Sequence, residues 1–171
     1  MNHVPRITIV SGGQTGADRA ALDFAIENDL PHAGWCPRGR LAEDGPIPPQ
    51  YRLQETPSRK YSQRTEWNVR DSDATVLFTI APQVVGGTAL ALEFARRLGK
   101  PALHLHPDED DGSFDAAQAA ARTLQQFLDT HQVGRLNVAG PRASQEPEIG
   151  EFVRRVLHHA LPFPRPDVSC S

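Results

Sequence analysis

The sequence ITIVSGGQTGADRAALDFAI at residues 7–26 decides the fold class of this chain. Its first four residues, Ile7–Val10, form an apolar run that predicts a strand, and the glycine-rich turn Ser11–Gly16 follows directly. Apolar residues then recur at helical spacing at positions 21, 22, 25 and 26. A strand that leads through a glycine turn into a helix is the first part of a βαβ unit, so we expect an α/β protein.

The same alternation continues along the chain. Further strands are predicted at 33–36, 75–80, 102–105 and 136–139, and helices at 58–70, 90–98, 117–128 and 149–160. Thr56 is the expected N-cap of the helix at 58–70, and Pro57 its first residue. This pattern predicts a Rossmann-like three-layer α/β/α sandwich with a mainly parallel sheet of five or more strands.

One domain is expected over residues 1–161, followed by a flexible, proline-rich tail at 162–171. A chain of this size buries roughly 70% of the surface that its unfolded form exposes, so it needs neither disulfide nor metal to fold. The stretch 37–57 is rich in proline and glycine and shows no period, so it is predicted to be an ordered functional loop or a mobile flap.

Composition excludes several classes of partner. The formal net charge of -3 argues against a nucleic-acid-binding surface. The two cysteines do not define a disulfide framework. There is no apolar run long enough for a membrane span, and the amino terminus lacks an apolar signal region. We therefore expect a cytoplasmic protein that binds neither nucleic acid nor membrane.

Two further glycine-containing turns follow predicted strands. Gly86-Gly87-Thr88 comes after the strand at 75–80, and Gly140-Pro141-Arg142 comes after the strand at 136–139. In a parallel sheet these turns share the edge formed by the carboxyl ends of the strands, where ligands of such folds bind. Backbone N–H groups and the positive end of a helix dipole suit a phosphate or another oxyanion there. Thr88 could alternatively serve only as a helix N-cap.

The first turn departs from the nucleotide-binding fingerprints. Ser11, Gly13 and Gly16 have the spacing of G-x-G-x-x-G, with serine in place of the first glycine. The segment CPRGR at 36–40 stands where an acidic ribose ligand is expected, and arginine favours phosphate over a ribose diol. NAD is therefore disfavoured, and an ATPase P-loop is unsupported because the Walker lysine is missing.

Other candidate residues have a functional and a structural interpretation. Tyr61, Arg64, Thr65 and Asn68 share one helical face, which could line a pocket or face solvent. Trp35 could stack on a planar ring or lie in the core, and Thr15 and Asp18 could simply form a capping box.

A metal site is also conceivable near the fourth strand. His104 and His106 alternate on one face of that strand with Asp108 beyond, as in a zinc site, but no second His/Cys cluster supports it. Cys36 could be a nucleophile beside Arg38 or a soft metal ligand, but a buried structural thiol is the expectation. We therefore assign no metal ligand and no catalytic residue.

Several motifs together resemble one family. The runs SGGQTGADRAAL (11–22), GWCPRGR (34–40), AEDGPI (42–47), RTEWNVRDSD (64–73) and GGT (86–88) resemble the bacterial proteins described as molybdenum carriers. These are grouped with the YpsA-related branch of the SLOG superfamily, whose relatives include the LOG "lysine decarboxylase-like" proteins. The resemblance covers roughly residues 6–160.

The resemblance implies a Rossmann-like SLOG domain, a homo-oligomer (dimer or tetramer) and transient contact with molybdoenzymes. It also implies a small-molecule site at the glycine turns. The expected cargo is the molybdenum cofactor, a phosphorylated molybdopterin, which phosphate or another oxyanion could replace. The candidate cofactor-binding residues are Gly12, Gly13, Gln14, Thr15, Gly16, Arg19, Trp35, Arg38, Arg64, Asn68, Gly86, Gly87, Thr88 and Arg142.

Two alternative functions stay open. LOG enzymes that cleave nucleoside monophosphates carry P-G-G-x-G-T-x-x-E, whereas here Val85-Gly86-Gly87-Thr88 is followed by its first glutamate at Glu93. This offset puts a phosphoribohydrolase activity, with Glu93 or Asp18 as acid or base, in doubt. A nucleotide-sensing SLOG module is disfavoured because no fused effector is present. A carrier that does not turn its ligand over is the leading prediction.

Overall fold

Five parallel strands form the central sheet of the computed structural model, which describes residues 6–108 and 115–161. In chain order the elements are β1 (Thr8–Val10), α1 (Ala17–Glu27), β2 (His32–Ala33), β3 (Trp35–Cys36), β4 (Leu41–Ala42), β5 (Gly45–Pro46), β6 (Gln54–Glu55), α2 (Tyr61–Arg70), β7 (Ala74–Phe78), α3 (Gly86–Arg97), β8 (Ala102–Leu105), α4 (Ala116–His131), β9 (Arg135–Ala139) and α5 (Ile149–Ala160). The predicted Rossmann-like α/β sandwich is confirmed.

The sheet has the order β2-β1-β9-β7-β8. The last strand in the chain therefore lies in the middle of the sheet, between β1 and β7. Its Leu136 stands opposite Ile9 on one side and Ala74 on the other, and all three residues are buried. Because β1, β9 and β7 are neighbours, the loops that follow them emerge side by side at one edge.

Helices cover both faces of the sheet. Helices α1, α4 and α5 pack on one face with Phe78, whereas α2 and α3 pack on the other face with Leu77. Successive strand residues point to opposite faces, which is why these two neighbours belong to different cores. The connections from β1 to β2 and from β7 to β8 run toward opposite edges of the sheet. Because such crossovers are right-handed, they place α1 and α3 on opposite faces.

Helix α5 agrees closely with its predicted pattern. It covers Ile149–Ala160, and its apolar stripe is buried against the sheet and its neighbouring helices. The buried residues are Ile149, Phe152, Val153, Val156, Leu157 and Ala160. Apart from the strand predicted at 33–36 and the start of α2, the other predicted helices and strands are also present, with shifts at their ends.

The segment 32–36 differs from the prediction of one strand. It divides at Gly34, so that β2 pairs with β1 while β3 pairs with β6 in a separate small sheet. An added Cβ at Gly34 would lie 1.9 Å from the Ser11 carbonyl oxygen. The chain therefore bends where it passes closest to the first glycine turn.

The start of α2 was also predicted wrongly. The helix begins at Tyr61 with Lys60 as its N-cap, not at residues 57–58 with Thr56 as the cap. The Thr56 hydroxyl instead donates to the carbonyl oxygens of Cys36 and Ser58, at 3.3 and 3.0 Å. It thereby fastens the end of the preceding loop to β3.

The loop at 37–57 is extensively hydrogen-bonded and contains the antiparallel pair β4–β5. The predicted tail at 162–171 lies outside the described residues, as do parts of the acidic loop after Asp108. Within the described ranges, no helix has the length and apolar character needed to cross a bilayer.

We predict that Gly34→Ala lowers the free energy of unfolding by more than about 2 kcal/mol. The new Cβ would clash with the Ser11 carbonyl group, and the φ of +151° strains any side chain. Chemical denaturation followed by circular dichroism measures this loss.

Gly87→Ala is the matched control, because an added Cβ meets no atom within 4 Å there and the residue lies in α3. Alanine is expected to leave the stability unchanged or to raise it by up to about 1 kcal/mol. Equal losses in both variants would contradict the close approach at Gly34.

Candidate functional site

Three loops and three helix amino termini meet at the carboxyl edge of the sheet. Helices α1 and α3 begin there because each follows a strand, β1 and β7 respectively. Helix α2 also begins there, since it runs antiparallel to β7 and leads into it. The loop after β9 lies between them. This is the edge at which the sequence predicts a ligand site.

The first glycine turn is largely occupied by the protein itself. The Gln14 N–H donates to Asp18 Oδ2 at 3.3 Å, and the Thr15 N–H donates to Gln14 Oε1 at 3.0 Å. The Ala17 N–H donates to the Pro141 carbonyl oxygen at 3.2 Å. Several N–H groups expected to face an anion are therefore already satisfied internally. The N-cap of α1 is Gly16, so Thr15 and Asp18 do not form a capping box.

Close packing requires the glycines of this turn. A Cβ at Gly12 would lie 2.0 Å from Arg64 Nη1, and one at Gly16 would lie 2.5 Å from the Pro141 carbonyl oxygen. Gly13 and Gly16 also have φ values of +76° and +81°, which favour glycine. The turn therefore packs directly against α2 and the loop after β9.

Glu43 joins the first turn to two other loops. Its carboxylate accepts hydrogen bonds from the hydroxyls of Thr15 and Ser144, and its N–H donates to Gln14 Oε1 at 2.9 Å. These hydrogen bonds, with that from Ser144 first, lower the pKa of Glu43. The Ala143 N–H donates to Thr15 Oγ1 at 3.2 Å, which completes the connection.

Arg19 is neutralised beside this network. Its guanidinium contacts Asp44 at 2.5 and 3.1 Å and donates to the Gly13 carbonyl oxygen at 3.0 Å. It also lies over the Tyr51 ring, 5.6 Å from the centroid. The hydrogen bond from Arg19 lowers the pKa of Asp44. Much of the charge of Arg19 is thus already matched within the protein.

A buried ion pair lies beneath the first turn. Arg64 Nη1 is 3.1 Å from Asp18 Oδ2, and Asp18 is almost fully buried. Burial raises the pKa of Asp18, and the nearby Arg64 guanidinium opposes that rise. Arg64 Nε and Gln14 Nε2 are buried with no hydrogen-bond partner among the described residues. Buried donors of this kind usually have an ordered water or a ligand as partner.

Two arginines from different parts of the chain meet on Tyr61. The guanidinium carbons of Arg64 and Arg142 lie 5.7 and 5.6 Å from the Tyr61 ring centroid. Arg142 belongs to the loop after β9, and Tyr61 is the first residue of α2. Both arginines are candidates predicted from the sequence, but no sequence pattern predicts that they lie together. Tyr61 was noted only as part of a helical face.

The second glycine turn is open to solvent, in contrast to the first. Gly86 and Gly87 are exposed, and an added Cβ at either would meet nothing within 4 Å. The N-cap of α3 is Val85, which has no side-chain capping bond, and the first turn of the helix has no acidic residue. Thr88 is buried inside the helix and is not its N-cap. The positive end of the α3 dipole is therefore accessible.

The polar groups of Trp35 and Asn68 are committed to the fold. Asn68 Oδ1 accepts from the Trp35 N–H at 2.7 Å, and its Nδ2 donates to the Trp35 carbonyl oxygen at 2.9 Å. The indole N–H donates to Asp71 Oδ2 at 2.7 Å, and the ring stands edge-on to Trp67. These contacts hold β3 against α2. Arg38, by contrast, is exposed near the start of α2.

Arg40 has a structural role that the sequence did not indicate. Its guanidinium donates to the carbonyl oxygens of Ile47, Pro48 and Tyr51, each at 2.9 Å. The loop therefore closes around the Arg40 side chain, which its carbonyl groups share as a donor. No sequence signal marks this role, because all the acceptors are main-chain groups.

Comparison with known proteins agrees with this architecture. The model of the circularly permutated YpsA SLOG family matches residues 9–161. The chain is also similar to a crystal structure from Syntrophus aciditrophicus SB that carries the name "putative molybdenum carrier protein". The two share 45% identity with a TM-score of 0.86, over 92% of this chain and 97% of the other. No curated protein matches significantly.

We predict that Arg40→Lys exposes the loop at 41–53 to proteases. A lysine ammonium cannot donate in the directions of a guanidinium fork, so the carbonyl groups of Ile47, Pro48 and Tyr51 lose their common donor. Limited proteolysis with mass spectrometry should show faster cleavage within this loop.

Arg38→Lys is the control, since Arg38 is exposed and two residues away. Its cleavage pattern should match that of the unsubstituted protein. An unchanged pattern in Arg40→Lys would show that the loop is held by other contacts.

Proposed function

We propose, since the chain belongs to the circularly permuted YpsA SLOG family, that it binds and carries a phosphorylated cofactor at the carboxyl edge of its sheet. The best candidate is the molybdenum cofactor. Support comes from the name of the 45% identical structural relative and from the arginines and the open helix terminus at this edge.

The observation that carries the proposal is the contrast between the two glycine turns. The first turn is filled by Asp18, Glu43 and Gln14 of the chain itself. The turn at Gly86–Gly87 leaves the amino end of α3 uncapped and uncrowded. We therefore place the phosphate group of the ligand at the second turn, where N–H groups and the helix dipole favour an anion.

Arg64 and Arg142 would supply the charged contacts. Helix α2, which carries Tyr61 and Arg64, packs beside α3, whose first turn contains Gly86 and Gly87. A planar guanidinium fork suits phosphate or oxo groups, and stacking on Tyr61 reduces the freedom that each arginine loses on binding. The unpartnered Arg64 Nε is a further donor for such a ligand.

The first turn would then have a supporting role. Asp18 holds Arg64 by an ion pair, and Glu43 joins the loops on either side. Arg38, exposed near the amino end of α2, adds positive charge at the same edge. Trp35 and Asn68 contribute by fixing α2 against β3 rather than by touching the ligand.

A carrier fits these side chains better than a nucleotide-processing enzyme. Glu93 is 61% exposed on α3 and pairs with Arg97 at 3.7 Å. Asp18 is held by Arg64 and by the Gln14 N–H. Neither carboxylate is set up as an acid or base at the open turn. A homo-oligomer and transient contact with molybdoenzymes are proposed on the family resemblance, and a cytoplasmic location on the composition of the sequence.

The central test identifies the ligand that co-purifies with the chain. We predict that protein produced in a host that synthesises the molybdenum cofactor contains molybdenum and a pterin, detected by elemental analysis and mass spectrometry. The same preparation should leave a panel of nucleoside monophosphates unchanged. Protein that contains neither molybdenum nor pterin, or that releases free base, would contradict the carrier function.

We also predict that Gly87→Leu weakens cofactor binding by at least about tenfold, or about 1.4 kcal/mol. The new side chain enters the open space at the amino end of α3, while leucine is compatible with the helix. Equilibrium binding by pterin fluorescence measures the effect, and the denaturation midpoint should not fall.

Arg96→Leu is the matched control, because it adds the same side chain at an exposed position in the last turn of α3. It should bind the cofactor normally. Normal binding by Gly87→Leu would show that the phosphate does not bind at the second turn.

A further inference from the structure

His104 and His106 form a second cluster of interest, at the end of the edge strand β8. Their ring centroids are 5.4 Å apart with an interplanar angle of 38°. Both line a cavity of about 240 Å³ that also borders Asp108 and the first turns of α4. The cluster does not include the arginines or the open turn assigned to the cofactor.

The hydrogen bonds of His104 define its tautomer. His104 Nε2 lies 2.7 Å from Thr79 Oγ1, and the Thr79 hydroxyl donates its one proton to the Ala81 carbonyl oxygen at 2.5 Å. Thr79 can therefore only accept from His104, so the proton of the neutral ring is on Nε2. The lone pair of His104 is then on Nδ1.

The tautomer of His106 follows in the same way. Its Nδ1 lies 3.1 Å from the Pro107 carbonyl oxygen, which can only accept a hydrogen bond. The proton is thus on Nδ1 and the lone pair on Nε2. Each histidine uses one ring nitrogen as a donor to the protein and keeps the other as a base.

A carboxylate lies beside the cluster. Glu146 accepts hydrogen bonds from the Ile80 and Ala81 N–H groups at 2.6 and 3.3 Å, and its charge acts on the His104 ring. A negative charge at this position favours a bound cation.

We propose that His104 Nδ1 and His106 Nε2 bind one divalent zinc-class ion at this edge of the sheet. Two imidazoles on a tetrahedral zinc ion, with Zn–N bonds of about 2.1 Å, hold their ring centroids about 5 Å apart, close to the separation seen here. Metal-binding histidines generally donate their other N–H to an oxygen acceptor, as both do here.

The site is open. The described residues contain no group of three or more His, Cys, Asp or Glu side chains that could hold a metal ion. Two protein ligands leave the remaining coordination positions to water or an external anion. The inference does not depend on the proposed carrier function, because its residues and its ligand are different.

The test is a titration of the full chain with Co²⁺, followed by displacement with Zn²⁺. All variants carry His3→Gln, so that this histidine, which lies outside the described residues, does not contribute to metal binding. We expect one Co²⁺ per chain, a change in the visible absorption spectrum of Co²⁺ on binding, and displacement by Zn²⁺. Binding of less than one ion per chain would overturn the proposal.

Matched substitutions locate the ion. His106→Gln, outside β8, and His104→Gln should each lower the affinity at least about tenfold. The double variant His158→Gln/His159→Gln removes another neighbouring pair, on α5, and should bind normally. Equal affinities in all these variants would exclude His104 and His106 as ligands.

A second pair of variants tests the role of Thr79. Thr79→Val removes the acceptor of His104 and should weaken binding, whereas Thr79→Ser keeps the hydroxyl and should restore it. In the metal-free protein, imidazole nitrogen chemical shifts should report Nε2–H for His104 and Nδ1–H for His106. The opposite tautomers would contradict the site, even if a variant failed to fold.

Discussion

The ion pair between Asp18 and Arg64 joins the two helical layers across the carboxyl edge of the sheet. Asp18 stands at the start of α1 on one face, and Arg64 stands in the first turn of α2 on the other. Removing one partner of such a buried pair typically costs about 3–5 kcal/mol, because the other charge stays buried without compensation. The pair also requires glycine at position 12, where any Cβ would occupy the space of the guanidinium. The first glycine turn is therefore shaped by this interaction as much as by any ligand.

This constraint separates the roles of the two glycine turns. At the first turn, the Asp18 carboxylate and the Gln14 side-chain amide accept hydrogen bonds from N–H groups of the turn. The charge of the nearby Arg19 is matched by Asp44. At the second, Gly86 and Gly87 leave a helix terminus with no side-chain cap and no acidic residue in its first turn. The positive end of the α3 dipole is therefore not neutralised by an acidic residue in the first turn of the helix. The same sequence feature, a strand followed by glycines and a helix, gives a packed corner in one place and an accessible helix amino terminus in the other.

Local patterns predicted the fold because the periodicity of a strand or helix depends on neighbouring residues. The apolar stripe of α5 and the strands predicted at 102–105 and 136–139 are examples. The errors arose where distant contacts decide the structure. Gly34 divides one predicted strand because β3 pairs with β6, and α2 starts late because Thr56 bonds to β3 and Ser58 instead of capping a helix. At the candidate site, the sequence indicated Arg64 and Arg142 but not their meeting on Tyr61, since 78 positions separate Arg142 from Arg64.

The sheet order explains how a site at the carboxyl edge can form in a chain whose sequence is circularly permuted. Strand β9 comes last in the sequence but lies in the centre of the sheet, and it brings Arg142 between the two glycine turns. A ligand at the carboxyl edge meets whichever loops leave the neighbouring strands, whatever their order along the chain. Joining the chain at a different point therefore preserves the edge, provided that parallel strands keep their places. What changes is the position in the sequence of the loop or helix that carries each side chain at the edge. Here the Asp18–Arg64 pair fixes one arginine from α2, and the loop after β9 delivers the other.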